Sequence, residues 1–254
     1  MTFLLKYQKL LSFFKSKPIL KDLIPDNHID IHSHLLPSID DGSKSMDETE
    51  LLIKSLANFG IKKFITTPHV MNSIYPNTSE KINQALMKTE EEFKFRKLNL
   101  PLKAAAEYFM DDIFLEKLKS EKLLTLKDNF VLVEMSYMNP PINLYDIIFE
   151  IQIAGYKPVL AHPERYFYFH KSFAEYLKLK KSGCLFQLNF LSCVGYYGAD
   201  VAKTADELLK KGLIDYVGSD VHHKNHINAF YEKIITKDKL ALEEAISRNQ
   251  FFTF

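Results

Sequence analysis

The sequence predicts an α/β fold in which seven β/α units close into a slightly distorted TIM-like barrel. Short β-rich runs alternate with longer helical patterns along the chain, a pattern that calls for parallel strands joined by crossover helices. No Gly/Ser-rich linker, low-complexity tract or repeat divides the 254 residues, and a hydrophobic content of 46% supports one large core. No G-x-G-x-x-G or G-x-x-x-x-G-K-[ST] loop follows any of the β-rich runs, which counts against an open nucleotide-binding sheet.

Taken in order, the chain opens on MTFLLKYQKLLSFF, where Phe3, Leu4, Tyr7, Leu10, Leu11 and Phe14 recur at helical spacing. This predicts an amphipathic extension over residues 1–20, ahead of one domain over 21–254. Lys6 and Lys9 interrupt the apolar run and no A-x-A site follows, so neither a signal peptide nor a membrane span is expected. Two readings stay open for residues 3–14: a helix docked on its own domain, or a peripheral membrane contact. The predicted strands are His28–His34, Lys63–His69, Leu102–Tyr108, Phe130–Glu134, Pro158–His162, Cys184–Asn189 and Tyr216–Asp220. The predicted helices are Met46–Phe59, Ser79–Lys97, Asp112–Leu118, Leu144–Ala154, Ser172–Lys181, Ala199–Lys211 and Lys239–Ser247. Asn77-Thr78-Ser79-Glu80 forms an N-cap cluster, and Gly60, Gly155, Gly183 and Gly212 stand where helices should stop.

Composition excludes several functions. Lysine plus arginine (33) balances aspartate plus glutamate (32), so no global field calls for nucleic acid. Cys184 and Cys193 are too few for a disulfide framework and too isolated for a zinc knuckle, which fits a reducing compartment.

The chemistry concentrates in the last residues of the predicted strands. Strand one ends in Asp30-Ile-His32-Ser-His34 and its loop continues Asp40-Asp41-Gly42. Strand two ends in His69, strand three in Glu107, strand four in Glu134, strand five in His162-Pro-Glu-Arg165 and strand seven in Asp220-Val-His222. In a parallel β/α barrel those ends converge on one face. His32 with His34, and Asp220 with His222, are spaced i and i+2, so each pair points to one side of a strand. Imidazole plus carboxylate without thiolate suits zinc, manganese or iron. Nine candidate ligands exceed the need of one ion: His32, His34, Asp41, His69, Glu107, Glu134, His162, Asp220 and His222. Two or three divalent ions sharing a bridging carboxylate would use them. Singly, a histidine at a strand end is more often a hydrogen-bonded structural residue, and a carboxylate there is often a helix cap. Jointly that alternative is poor, because five of the nine histidines fall at one edge and burying so many ionisable groups without a metal is costly. His28, His170, His223 and His226 are read as surface or supporting residues, His223 being the first exception to expect.

The run Asp30-Ile-His-Ser-His-Leu-Leu-Pro-Ser-Ile-Asp-Asp-Gly42, with Thr67-Pro-His69, Ala161-His-Pro-Glu-Arg-Tyr166 and Ser219-Asp-Val-His222, resembles the PHP (polymerase and histidinol phosphatase) superfamily. Within it, the chain is most similar to the bacterial capsule and exopolysaccharide tyrosine-protein phosphatases, from about Lys21 to the C-terminus. The resemblance implies the PHP fold, a distorted (β/α)7 barrel, and three divalent metals, with manganese first and iron, zinc, cobalt or magnesium as alternatives. It groups His32, His34, Glu107 and Asp220 around one ion. Glu107, Glu134 and His162 surround a second, with Glu107 bridging, and Asp41, His69 and His222 a third. Arg165 matches the family's phosphate-binding arginine, and a planar bidentate donor beside metals suits a phosphoryl group. Arg165, Asp41 and His222 are therefore the expected catalytic residues, with Arg165 and His223 contacting substrate. Two departures bear on substrate recognition: Tyr108-Phe-Met-Asp-Asp112 stands where many members carry an arginine, and His223-Lys-Asn-His226 where many carry an asparagine and a later arginine.

The implied activity is hydrolysis of phosphotyrosine on proteins by a hydroxide bridging the metals. The implied substrate is the tyrosine-rich tail of a bacterial kinase of polysaccharide export, met in the cytoplasm near the inner face of the membrane. Neither cysteine begins a C-x5-R loop, so a thiolate mechanism is disfavoured. The competing readings are a small-molecule phosphomonoesterase, such as a histidinol phosphatase, and a barrel whose metals only stabilise it. The sequence leaves the general acid and the oligomeric state open.

Overall fold

The computed structural model describes residues 17–254. The amphipathic segment expected over residues 3–14 lies outside them. Among the described residues nine strands are formed: β1 (His28–Asp30), β2 (Ile61–Thr66), β3 (His69–Val70), β4 (Leu102–Ala104), β5 (Glu107–Phe109), β6 (Phe130–Glu134), β7 (Lys157–Ala161), β8 (Leu185–Asn189) and β9 (Tyr216–Gly218). Eight α-helices among the described residues alternate with them: α1 (Met46–Asn58), α2 (Ser79–Phe95), α3 (Asp112–Ser120), α4 (Leu144–Ile153), α5 (Phe173–Lys181), α6 (Ala199–Lys210), α7 (Lys224–Ala229) and α8 (Lys239–Arg248).

All strand pairs are parallel, in the orders β1-β2-β4 and β3-β5-β6-β7-β8-β9. The second and third predicted strands are each split in two. Pro68 has no amide hydrogen to continue the β2 ladder, yet the register survives the break. Ala105 N donates to Thr66 O (2.8 Å) and Glu107 N to Pro68 O (3.1 Å). Counting each split strand once leaves the seven barrel positions that the alternation predicts.

The seam between the first and last strands closes mainly above them. Asp220 N donates to His32 O (2.7 Å) and His34 N to Val221 O (3.0 Å), on either side of a parallel bridge between Ser33 and Val221. Asp30 accepts from Ser219 N (2.9 Å) and Ser219 Oγ (2.5 Å) across the same gap. Lower down, the fully buried Asn249 spans the seam with its side chain. Its Nδ2 donates to Ile29 O (3.0 Å) and Val217 O (2.8 Å), and its Oδ1 accepts from Val217 N (3.1 Å).

Strand alternation divides the core. On β6, Val131 and Val133 pack in the larger cluster with α4 residues Ile147 and Ile151. Phe130 and Leu132 face the other way, with Ile29, Ile65, Val159, Ala161 and Phe252. The next residue on that inner face is Glu134, so the apolar interior runs directly into the carboxylates above it.

Three differences from the predicted elements matter for the site. β1 stops at Asp30, so His32 and His34 lie beyond it. β9 likewise stops at Gly218, leaving Asp220 and His222 in irregular chain. The short α7 forms where no helix is predicted, because six residues rich in Asn and His carry too little periodicity to read. Pro18 and Leu20, assigned by sequence to the extension, already pack on the barrel: Ile234 N donates to Pro18 O (3.0 Å) and Leu20 is buried. Among the described residues, no helix is long and apolar enough to cross a membrane.

Asn249→Ala is expected to destabilise the barrel by roughly 2–3 kcal/mol, since three buried backbone groups lose their partner. In thermal melts that corresponds to a midpoint about 5–10 °C lower; a change of less than about 2 °C would remove the seam from the stability argument.

Candidate metal centre

The nine residues singled out at the strand ends meet in one place. Glu107 occupies the middle, fully buried. Its Oε2 lies 3.2 Å from His32 Nε2, 3.4 Å from His34 Nε2 and 3.2 Å from His69 Nδ1, and its Oε1 lies 3.2 Å from His162 Nε2. Asp220 Oδ1 faces the same two imidazoles, at 3.2 Å from His32 Nε2 and 3.4 Å from His34 Nε2. Glu134 Oε1 lies 2.9 Å from His69 Nδ1. Toward solvent, Asp41 Oδ1 lies 3.4 Å from His69 Nε2 and 3.5 Å from His222 Nε2.

Donor atoms of four sets fall within 4.8 Å of one another: His34 with Asp41, His69 and His222; His32 with His162 and Asp220; His32 with His34 and Glu107; and His69 with Glu107 and Glu134. Together they include all nine residues. The sets overlap, so several side chains stand within reach of more than one of them. His69 is shared between the outer set and Glu107 with Glu134, and His162 sits with His32 and Asp220.

A divalent cation fits this arrangement on two grounds. Two donors each about 2.1 Å from an ion and 90–110° apart stand roughly 3.0–3.4 Å from one another, which is the spacing observed around Glu107. Second, among the described residues neither Glu107 oxygen has a hydrogen-bond partner, nor does Glu134 Oε1 or His69 Nδ1, although all are buried. Buried polar atoms are normally satisfied. Burial would push Glu107 up, but the His32 and His69 charges hold it well below the usual carboxylate range. Burial opposes protonation of His32, yet Glu107 and Asp220 lift it to about 10. His69 reaches about 9 against burial and the His34 charge, through Glu107 and Glu134.

Outer partners aim the imidazoles, as they do around metal ligands generally. His32 Nδ1 is 2.6 Å from Gln187 Oε1, His34 Nδ1 is 2.8 Å from Asp40 Oδ2, and His222 Nδ1 is 2.8 Å from the Asp220 carbonyl. With Nδ1–H donated in each pair, each Nε2 is turned to the centre, where a cation would take the place of its proton. Asp40 is further pinned by Gly42 N (2.9 Å) and His69 N (3.1 Å). Gly42 sits so close to His34 that any side chain there would collide with the His34 backbone. Sequence reasoning assigned no role to Asp40 or Gln187. The Asp40-Asp41 doublet was a usable signal for the first, while an amide on the one strand without a ligand gives none.

A cavity of about 390 Å³ opens above the cluster, lined among others by Asp41, His69, His162, Arg165, Asp220, His222 and His223. Arg165 Nη1 donates to Asp220 Oδ2 (2.8 Å), an oxygen that also accepts from Asn189 Nδ2 (2.9 Å). The guanidinium lies between the rings of Tyr137 (4.8 Å) and Tyr197 (4.2 Å). Those tyrosines went unremarked in the sequence because nothing in their spacing ties them to Arg165. His226, read as a supporting residue, is buried beside the cluster with Nδ1 accepting from His222 N (3.2 Å). His28 is buried too, not at the surface.

Comparison with known proteins follows the same lines. The family model for capsular polysaccharide synthesis, CpsB/CapC, matches residues 28–239. The chain is 29% identical to the tyrosine-protein phosphatase CpsB of Streptococcus pneumoniae over 201 residues, 77% of this chain and 83% of that one. It is 27% identical to the tyrosine-protein phosphatase YwqE of Bacillus subtilis over 196 residues, 77% of each. Crystal structures of that YwqE and CpsB, described as unique metal-dependent tyrosine phosphatases, include a chain that superposes with a TM-score of 0.74 at 25% identity, covering 89% of this chain and 88% of the other.

Adding a divalent cation to chelator-treated protein is expected to raise its melting midpoint. Saturation about a hundredfold above Kd contributes roughly 2.7 kcal/mol, and Glu107→Gln should abolish most of the gain. Because the metal-free site keeps His32 and His69 protonated, binding must release protons and tighten as pH rises. Calorimetry in buffers of different ionisation enthalpy measures that release; cation binding with no proton release contradicts the assignment.

Proposed function

The chain belongs to the CpsB/CapC family of capsular polysaccharide synthesis, and from that membership we infer that it is a metal-dependent protein-tyrosine phosphatase, a phosphoric monoester hydrolase that converts phosphotyrosine and water to tyrosine and phosphate. The observation that carries this reading is the juxtaposition of Arg165 with a buried His/Asp/Glu cluster at the floor of one cavity. The finer placement in the PHP superfamily rests on the D-I-H-S-H and A-H-P-E-R-Y runs.

In this reading His32, His34, Asp41, His69, Glu107, Glu134, His162, Asp220 and His222 hold two or three divalent ions, manganese first among them. When bound, such ions polarise phosphoryl oxygens and lower the pKa of water toward neutrality. Arg165 supplies the planar donor for the phosphoryl oxygens. Tyr137 and Tyr197 hold its plane, and Asp220 Oδ2 and Asn189 fix its inner edge, so orientation is set before substrate arrives. Asp41 and His222 stand at the outer edge of the cluster nearest solvent, where they meet the incoming group together with His223. A net charge of +1 offers no global field for nucleic acid, and the phosphorylated substrate is a protein. A kinase of polysaccharide export, met in the cytoplasm, is the partner that the family's role in capsule synthesis favours.

The two cysteines take no part. Burial pushes both thiols up to about 12, so neither offers a thiolate.

Arg165→Ala should lower kcat/KM on a phosphotyrosyl peptide by about 10²–10³-fold, the range for loss of one preorganised transition-state donor, with metal content unchanged. Replacing Cys184 and Cys193 by Ala should leave turnover within about twofold wherever the fold survives. A cysteine variant that keeps its metals and its melting midpoint but loses turnover would falsify the metal-centred mechanism.

A further inference from the structure

The floor of the cavity is charged but two of its walls are not. One wall is the loop Met71–Thr78 and the other is Met135–Asn143. In a chain with 26% charged residues, neither segment contains a single Asp, Glu, Lys or Arg. From these loops Met71, Ile74, Tyr75 and Tyr137 line the cavity itself. Tyr75 stacks on His69 (ring centroids 5.6 Å, 14° between planes) and Tyr137 on His162 (5.7 Å, 29°), so each wall is anchored to the cluster. The same two loops also carry exposed apolar side chains: Ile74 is 61% exposed, Met138 80%, and Ile142 fully exposed.

Single exposed hydrophobic residues are ordinary. The exposed Phe95 follows Glu90-Glu-Glu92 and precedes Arg96-Lys97, and needs no partner to explain it. These loops differ in carrying several such residues on two uncharged segments that each contribute side chains to one cavity. Exposed apolar surface gathered at a cleft marks an interaction site.

We propose that Met71–Thr78 and Met135–Asn143 form an apolar rim that docks the peptide on either side of the phosphotyrosine, selecting substrates whose neighbouring residues are uncharged and apolar. The inference rests on the phosphatase reading and deepens it. With the phosphate at Arg165 and the cluster, the substrate backbone runs across the mouth. An extended chain advances about 3.3–3.6 Å per residue, so the two or three residues on each side fall on these loops. Charged neighbours would be desolvated there without a partner. Apolar neighbours would cover Ile74, Met138 and Ile142.

The test pairs turnover with binding. The wild-type holoenzyme and a Met138→Ser, Ile142→Ser double variant are assayed on p-nitrophenyl phosphate and on phosphotyrosyl peptides with either Ala/Leu/Tyr or Glu/Lys flanks. Binding of the same peptides carrying a non-hydrolysable phosphonate is followed by fluorescence anisotropy. The expected result is a preference of about tenfold or more for the apolar-flanked peptide, lost in the double variant, equivalent to about 1.4 kcal/mol. The small aryl phosphate reaches only the floor and reports an intact fold. Equal kcat/KM and equal affinity for the two peptide classes in the wild type overturn the rim, as does a double variant that keeps the preference. Absence of turnover on every phosphate, with peptide selectivity retained in anisotropy, counts against the phosphatase reading and supports the rim.

Discussion

An ionised carboxylate withdrawn from water costs several kcal/mol unless opposite charge meets it at close range, and Glu107 is withdrawn completely. Four imidazoles stand 3.2–3.4 Å from its oxygens, none in hydrogen-bond geometry. Those separations are long for charge-assisted hydrogen bonds, which run about 2.7–2.9 Å. They suit atoms that share a third partner between them. The surrounding structure is arranged around that requirement: the chain beyond β1, the start of β3 and the turn after β7 each bring histidine to the same carboxylate.

The seam explains why the first and last strands can contribute so closely. In this barrel the regular ladder ends early on both sides of the gap, at Asp30 and at Gly218. Closure passes to irregular chain, through His32 O, Val221 O and the Asp30–Ser219 pair. The backbone atoms that close the barrel therefore belong to the residues whose side chains enter the cluster, or to their neighbours. Stability and site geometry share one set of contacts here, and the side chain of Asn249 supports the seam from below, where strand pairing is missing.

The fold was legible because alternation of β-rich and helical runs is a long-range signal that local irregularity does not erase. Pro68 breaks a strand, yet the barrel count stays at seven because the ladder resumes in register. The nine candidate ligands were legible because acids and histidines at successive strand ends have no ordinary reason to recur. His32 and His34 are spaced i and i+2 yet stand beyond the strand, in chain against which Gly42 packs closely at His34. What could not be read were contacts between residues far apart in sequence whose types are unremarkable. Gln187 supports His32 across 155 positions, and Tyr197 stacks on Arg165 without any local pattern to announce it.

Backbone conformation supplies a last constraint. His162 (φ 36°) and Asp220 (φ 50°) both adopt left-handed geometry, which costs a residue with a Cβ about 1–2 kcal/mol. Glycine would remove that cost at either position and would also remove a side chain from the cluster. The surrounding chain holds both turns in place: His162 N donates to Gln187 O (2.8 Å), and Asp220 N donates to His32 O (2.7 Å). Strain of this kind persists where neighbouring structure over-determines it. Here the turn after β7 and the turn after β9 each redirect a side chain from the strand axis into the barrel mouth. The two left-handed residues lie on either side of Arg165, one three residues before it and the other bonded to its guanidinium. Arg165 and the cluster beneath it are thereby held in fixed relation by the same pair of strained turns.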